Sequence, residues 1–132
     1  FIIAHGRSAS VSHIGLYVND LETMKEFYKS YFCALPGTNY SSRTRDFTSC
    51  FLGFSGQTRI ELMSRSGVKP GMGSVQPGHI AISVGSREQV DLYTARLKAG
   101  GIKILSGPRV TGDGYYESVI SDPEGNTIEI TV

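Results

Sequence analysis

The chain has 132 residues, which suits one domain with a real hydrophobic core. A hydrophobic content of 39% with 16 glycines predicts a soluble, turn-rich protein, and a net charge of +1 gives no reason to expect a nucleic acid or an anionic membrane as partner. No apolar stretch is long enough to span a bilayer. The two cysteines, Cys33 and Cys50, are too few for a disulfide framework, so we expect reduced, buried thiols in a cytoplasmic protein.

The chain begins with Phe1 and its first residues lack the layout of a signal peptide, so we interpret 1–11 as a leader or tag. His5 lies in this segment and is assigned no role. The remaining 12–132 is predicted to form one domain made of a module over 12–64, a Gly/Pro-rich linker over 65–77 and a second module over 78–132.

The first module begins with a run from His13 to Val18, in which aliphatic residues alternate with the histidine, as in a strand with one buried face. Asn19 and Asp20 are natural N-caps, and Glu22 follows Asn19 by three residues. An amphipathic helix of about three turns follows and ends before Pro36 and Gly37. Its predicted core side chains include Phe27, Tyr28, Tyr31 and Phe32. Strands are predicted over Thr38–Arg43, Thr48–Phe54 and Gln57–Ser64, with a hairpin turn at Ser55–Gly56.

The second module repeats this order. A strand from His79 is predicted to end at Gly85, and Ser86 with Gln89 predicts a helix N-terminus. Val90, Tyr93, Thr94 and Leu97 form the apolar stripe of that helix, which Gly100–Gly101 ends. Strands are predicted over Ile102–Val110, Tyr115–Ser121 and Thr127–Val132, with turns at Gly112–Gly114 and Asp122–Gly125. Each half is therefore β-α-β-β-β.

A His/Glu pair recurs within this duplication. Glu61 follows His13 by 48 positions and Glu129 follows His79 by 50, while the two histidines are 66 positions apart and the two glutamates 68. In all four strand-like runs the aliphatic residues take one face and the His or Glu takes the other. If the four strands share one sheet, these ionisable groups can converge in a concave space.

This pattern resembles the vicinal oxygen chelate superfamily, which includes glyoxalase I, bleomycin-binding proteins, thiol transferases, extradiol dioxygenases and an epimerase. The local matches are the run from His13 to Phe32, the run from Gly78 to Ala81, and the turn at 122–126 leading into Ile128–Ile130. The resemblance implies an α+β fold in which two tandem βαβββ modules form a curled mixed β-sheet around a cavity.

Within that superfamily a His-Glu-His-Glu set resembles glyoxalase I. The resemblance implies that His13, Glu61, His79 and Glu129 are metal ligands, with Glu61 and Glu129 as catalytic carboxylates and Glu129 as the base. Such ligands suit a divalent ion, for which nickel, cobalt and zinc are the candidates. The implied reaction is the isomerisation of a thiol–oxoaldehyde hemithioacetal to a 2-hydroxyacyl thioester through an enediolate.

Two positions depart from the glutathione-using relatives. An arginine is expected four residues after the first ligand, where Tyr17 stands, and an asparagine four residues after the first glutamate, where Arg65 stands. Arg109 lies near a loop that can hold a substrate carboxylate. These departures argue against glutathione itself, so the expected substrate is a small molecule: an adduct of a different thiol, or a different compound with a chelating pair of oxygens.

Two alternatives remain open. One is a metal-free, bleomycin-type binding protein, and the other is a different enzyme of the superfamily, such as a thiol transferase or an epimerase. The resemblance also implies a homodimer, because in relatives with a short linker one module of each chain pairs with the other module of its partner. The 18 positions between Glu61 and His79 favour that arrangement, with sites at the subunit interface.

Overall fold

The computed structural model describes residues 13–68, 79–112 and 114–132. These divide into two compact units, the first over 13–29 and 33–68 and the second over 30–32 and 79–132 without Asp113. The elements in chain order are β1 (His13–Tyr17), α1 (Leu21–Phe32), β2 (Leu35–Pro36), β3 (Tyr40–Ser41), β4 (Thr48–Gly53), β5 (Arg59–Ser64), β6 (Ile80–Ser83), α2 (Arg87–Ala99), β7 (Ile104–Val110), β8 (Tyr116–Ser121) and β9 (Thr127–Thr131). Neither helix of the described residues is long and apolar enough to cross a membrane.

The first unit contains a mixed sheet with the strand order β1-β5-β4-β2, and β3 pairs with β4. β1 runs parallel to β5, whereas β4 is antiparallel to β5. Ile60 and Leu62 on β5 are buried together with Leu16 on β1 and Leu52 on β4. Side chains alternate along a strand, so the intervening residues of β5 and β1 lie on the opposite face.

The helix α1 supplies aromatic and sulfur-containing side chains to the core. Met24, Phe27 and Tyr28 are all buried, and they recur at the spacing of one helix face. The helix begins at Asp20, whose carboxylate accepts the backbone N–H of Thr23. This oxygen satisfies one of the N–H groups that the first turn leaves without an intrahelical partner.

The second unit repeats the plan with four strands in the order β6-β9-β8-β7. β6 is parallel to β9, and β8 pairs antiparallel with both β9 and β7. Its core contains Val90 and Leu97 of α2 against Ile120 and Ile128 of the sheet, all fully buried or nearly so. The α+β class and the two βαβββ modules, each with a mixed sheet, are thereby confirmed.

Several details differ from the sequence predictions. The predicted strand Thr38–Arg43 is replaced by β2 and β3, which pair with opposite ends of β4. The chain turns after β3, where the Ser42 hydroxyl accepts the backbone N–H groups of Thr44 and Arg45. The four strand runs that carry His or Glu also lie in two sheets instead of one.

The predicted burial of Cys33 is wrong. This residue is the C-cap of α1, has a left-handed backbone conformation with φ of 55°, and is exposed. Its N–H donates to the Lys29 carbonyl, and the N–H of the next residue, Ala34, donates to the Tyr28 carbonyl. The chain therefore leaves the helix at Cys33 and carries the thiol away from the core. Cys50 is buried, as predicted, and Tyr31 is only half-buried.

Boundaries near the helices also shift. Asp20 is the N-cap of α1, and Glu22 accepts the side-chain amide of Asn39 instead of closing a capping box. Ser86 caps α2 as predicted. His79 lies directly before β6, which ends at Ser83. The predicted leader over 1–11 lies outside the described residues. So do residues 69–77 of the predicted linker, Asp113 in its predicted turn, and the first residue of each predicted module, Ser12 and Gly78.

Candidate metal centre

The first His/Glu pair lies on two neighbouring parallel strands of the first unit. His13 is the first residue of β1, and Glu61 on β5 stands opposite Gly15 in the register. Because Ile60 and Leu62 turn to the buried face, the Glu61 side chain takes the other face, as does that of His13. The Nε2 atom of His13 is 3.7 Å from Oε1 of Glu61, and the side chains are 39% and 19% exposed.

The second pair reproduces this geometry in the second unit. Glu129 on β9 stands opposite Ala81 on β6 and is flanked by the buried Ile128 and Ile130. The Nε2 atom of His79 is 3.5 Å from Oε2 of Glu129, and the side chains are 52% and 27% exposed. Each unit therefore presents one imidazole nitrogen and one carboxylate oxygen side by side.

Each pair is spaced too widely for a direct hydrogen bond and lies within a few tenths of an ångström of the spacing of two ligands of one metal ion. The distances of 3.7 and 3.5 Å exceed the usual N–H···O range of about 2.7–3.2 Å. Two ligands at about 2.1 Å from one ion, and about 90–110° apart, are themselves about 3.0–3.4 Å apart. Imidazole with carboxylate is also a donor set that divalent first-row ions accept. The residues present therefore fit such an ion.

The four predicted ligands are thus brought together two by two. Within residues 13–68, 79–112 and 114–132, no group of three or more His, Cys, Asp or Glu side chains is placed to hold one ion.

Comparison with known proteins identifies the family. A model of the Glyoxalase/Bleomycin resistance protein/Dioxygenase superfamily matches residues 10–130. The chain belongs to this superfamily. No curated protein sequence matches the chain.

Solved structures of this superfamily resemble the chain over nearly its whole length. A V278E mutant of glyoxalase I from Zea mays is 25% identical, with a TM-score of 0.77 over 92% of this chain, and this chain covers only 43% of the maize chain. A possible glyoxalase from Bacillus cereus is 25% identical, with a TM-score of 0.69 over 95% of this chain and 100% of the other. Glyoxalase I from Leishmania major, described as trypanothione-dependent, is 24% identical, with a TM-score of 0.76 over 94% and 86%.

The surroundings of the first pair in this superfamily member are aromatic and cationic. Phe51 on β4 stands opposite Glu61 in the register, and its ring meets that of His13 edge-on at 5.1 Å. The guanidinium of Arg59 also contacts this ring, with 4.3 Å between its carbon atom and the centre of the Phe51 ring. Neither Phe51 nor Arg59 was among the site residues predicted from the sequence. The alternation of β5 could have found Arg59, because it lies two residues before Glu61.

The two positions that depart from the glutathione-using relatives contact each other. Arg65 lies over the Tyr17 ring with 5.7 Å between its guanidinium carbon and the ring centre. Tyr17 pairs in the register with Met63, two residues before Arg65. The first unit therefore carries a second arginine held on an aromatic ring.

The surroundings of the second pair are smaller and less aromatic. Val119 on β8 stands opposite Glu129, in the place that Phe51 takes in the first unit. Thr127 lies two residues before Glu129, where the first unit has Arg59. Arg109, which we predicted near a substrate carboxylate, is exposed on β7 and stands opposite Glu117.

Proposed function

We propose that this protein is a metal-dependent lyase of the glyoxalase I type, which converts a thiol–oxoaldehyde hemithioacetal to a 2-hydroxyacyl thioester. The observation that carries the proposal is the duplicated His/Glu pair, with 3.7 Å between the partners in one unit and 3.5 Å in the other. A cavity that merely sequesters a small molecule needs no such donor set. The similarity to structures named glyoxalase I, at 25% identity, supports the same reaction class.

In this proposal His13, Glu61, His79 and Glu129 hold one divalent ion, with nickel, cobalt and zinc as candidates. Two imidazoles and two carboxylates would form a donor set that a divalent first-row ion accepts. Bound there, the ion supplies Lewis acidity, which polarises a carbonyl group and acidifies the neighbouring C–H bond. The side chains of the chain orient the substrate and move the proton.

Glu129 is the proposed base. Its carboxylate accepts the proton from the carbon that bears sulfur and returns it to the former carbonyl carbon. The hydroxyl proton of the first carbon is transferred to the oxygen of the second, so that the thioester and the new hydroxyl group form together. The reaction is an isomerisation and needs no external oxidant or reductant. The Glu129 side chain lies beside His79 and is 27% exposed, so its carboxylate is accessible to a substrate.

The thiol is left open by the residues that surround the first pair. Tyr17 and Arg65 stand where glutathione-using relatives carry an arginine and an asparagine, and the two side chains contact each other. The Leishmania major enzyme, described as trypanothione-dependent, is an example of a relative with a different thiol. We therefore propose a small-molecule thiol adduct as the substrate class and leave the thiol to the assay.

We further propose that the complete site is assembled by a homodimer. One unit of each chain carries His13 and Glu61 and the other carries His79 and Glu129. In a two-fold dimer, the first pair of one chain and the second pair of its partner then form two equivalent sites. A Gly/Pro-rich segment joins the two modules, which favours exchange of modules between chains.

The test combines metal analysis with an assay. Protein purified without chelator should contain about one divalent ion per chain, and added nickel, cobalt or zinc should raise its melting temperature, because a ligand bound only by the folded state stabilises it. His79→Ala should lose most of that shift. Methylglyoxal with several thiols should give the thioester. A metal-free protein with an unchanged melting temperature in metal would instead favour a binding protein of the bleomycin type.

A further inference from the structure

One arginine in the first unit stands beside the candidate metal centre without serving as an ion-pair partner there. Arg59 lies on the same face of β5 as Glu61, two residues away, and opposite His13 in the register with β1. Along a strand this separation is about 7 Å between the two Cα atoms. The guanidinium is therefore carried on the face that presents the first His/Glu pair.

Phe51 holds this guanidinium in place. The Arg59 guanidinium carbon is 4.3 Å from the centre of the Phe51 ring, well within the range of about 6 Å for a cation–π contact. The ring also meets His13 edge-on at 5.1 Å, so the three side chains form one continuous patch. Stacking uses the face of the guanidinium and leaves its N–H groups at the edge, where they can donate to an oxyanion.

Arg59 does not form an ion pair with Glu61. Among the residues that the structure describes, the ion pair of Glu61 is with His13, and Arg59 enters none. Arg59 is also exposed, so its stacked guanidinium is open to a ligand. An arginine kept only to neutralise the neighbouring carboxylate would be expected to pair with it.

In the part of the second unit that the structure describes, no equivalent patch lies beside Glu129. Following the 68-position repeat of the glutamates, the counterparts of Phe51 and Arg59 are Val119 and Thr127. The register confirms the first of these, because Phe51 stands opposite Glu61 and Val119 stands opposite Glu129. The arginine therefore belongs to one half of the duplication, as expected for a group that recognises one end of an asymmetric ligand.

We propose that Arg59, stacked on Phe51, forms an anion subsite beside His13 and Glu61 that takes a carboxylate or phosphate group of the substrate. A guanidinium binds either oxyanion through two parallel N–H···O bonds. Because Arg59 and Glu61 project from the same face of β5, the anionic group and the reacting carbonyl belong to one small ligand. The inference rests on the proposed function for the reacting carbonyl, whereas the subsite can be tested without turnover.

The binding test uses the full chain saturated with zinc, titrated with acetate and separately with inorganic phosphate at constant ionic strength. The NMR signals of the Arg59 Nε–H group and the Phe51 ring are expected to shift and saturate with the preferred anion. Arg59→Gln should raise the dissociation constant about tenfold or more, because it removes charge-assisted hydrogen bonds. Arg59→Lys, which keeps the charge without the planar fork, should bind between the two and shows that the fold is intact.

Arg45→Gln is the matched control. Arg45 also lies over a phenylalanine of the first unit, 5.7 Å from the centre of the Phe47 ring, but in the turn before β4. Arg45→Gln removes the same charge and a similar cation–π contact as Arg59→Gln, and it should not change anion binding. The absence of any saturable shift in the original chain, or equal weakening by Arg45→Gln and Arg59→Gln, would overturn the subsite.

A turnover test then assigns the subsite to the substrate. Methylglyoxal is combined with 3-mercaptopropionate or with 2-mercaptoethanol, which differ in carrying a carboxylate or a hydroxyl group. Arg59→Gln should raise KM for the carboxylate adduct about tenfold more than KM for the hydroxyl adduct. Equal changes in both values of KM would overturn the assignment. Anion binding without turnover of either adduct, or of methylglyoxal with any other thiol tested, would overturn the proposed lyase function and leave the subsite standing.

Discussion

The two halves of this protein share the geometry of their His/Glu pairs and differ in the side chains around them. In both, a glutamate in the middle of a strand lies beside a histidine at the start of a parallel neighbour, with 3.7 Å between the paired atoms in one unit and 3.5 Å in the other. The register around the glutamates is also the same, since Gly15 and Phe51 flank Glu61 as Ala81 and Val119 flank Glu129. The same strand register in both units is therefore enough to place a histidine beside a glutamate in each.

The side chains around the pairs have diverged. The first unit places Phe51 and Arg59 next to its pair, and the second has Val119 and Thr127 at the corresponding positions. The cores diverge as well, because Tyr28 of α1 has the small, polar Thr94 as its counterpart 66 positions later. Backbone register constrains the His/Glu pairs, whereas the neighbouring positions need only suit packing or a bound molecule. We infer that metal binding uses the symmetry of the duplication and substrate recognition uses its differences.

The largest expected effect separates the two glutamates. Glu129→Gln should lower kcat by about 10²–10⁴-fold, because an amide cannot accept the substrate proton. Glu61→Gln keeps the proposed base and should lower kcat less while weakening metal binding. Steady-state kinetics with methylglyoxal and the best thiol, together with the metal content of each variant, would measure both. An equal loss of kcat in two fully metallated variants would contradict the assignment of the base to the second unit.

The second prediction tests whether the two pairs of a site come from different chains. His13→Ala and His79→Ala should each be inactive. When the two variants are unfolded, mixed and refolded, half of the dimers are mixed, and each of those contains one site with both defects and one with none. Activity should then recover to about a quarter of that of the original protein.

Absence of recovered activity would contradict this arrangement, because sites formed within one chain always keep one defect. The control is the same procedure applied to each variant alone, which should give no activity. Refolded original protein gives the reference value and reports losses in the procedure.

The sequence predicted which His and Glu side chains lie side by side, because this depends on strand alternation and on one repeat. The residues on either side of Glu61 and of Glu129 are aliphatic and buried, so the face of each glutamate follows from the pattern. The pairing of Phe51 with Arg59 depends on which strands are neighbours, and it was missed. The exposure of Cys33 was missed for a local reason, since a non-glycine residue with positive φ ends the helix one turn before the Pro-Gly signal.

The third prediction concerns the polar core of the second unit. The Thr94 hydroxyl lies 2.6 Å from the Val90 carbonyl oxygen and 2.7 Å from the Ser118 hydroxyl, and Ser118 is fully buried. Thr94→Val should lower the free energy of unfolding by about 1–3 kcal/mol, because it leaves the Ser118 hydroxyl without this partner. Adding Ser118→Ala should recover part of the loss. Urea unfolding of both single variants and the double variant measures the coupling, and strictly additive losses would contradict it.

The smallest effect concerns the helix N-caps. The first helix is capped by a titratable carboxylate, and the second is capped by a neutral hydroxyl. The Thr23 backbone N–H donates to the Asp20 carboxylate at 2.9 Å, and the Gln89 N–H donates to the Ser86 hydroxyl at 3.2 Å. The hydrogen bond from Thr23 holds the pKa of Asp20 below its ordinary value of 3.8. The contribution of this cap is therefore complete above that value and is lost as the pH falls through the lower pKa of the folded state.

Amide exchange resolves this difference between the two helices. As the pH is lowered from 6 to below 3.8, the protection factor of the Thr23 N–H should fall relative to that of Gln89. Asp20→Ser gives the first helix the cap of the second, and it should remove the pH dependence of the ratio because a serine hydroxyl does not titrate in this range. A parallel fall at both amides would mean that acid acts on the whole protein, and the caps would then not distinguish the two units.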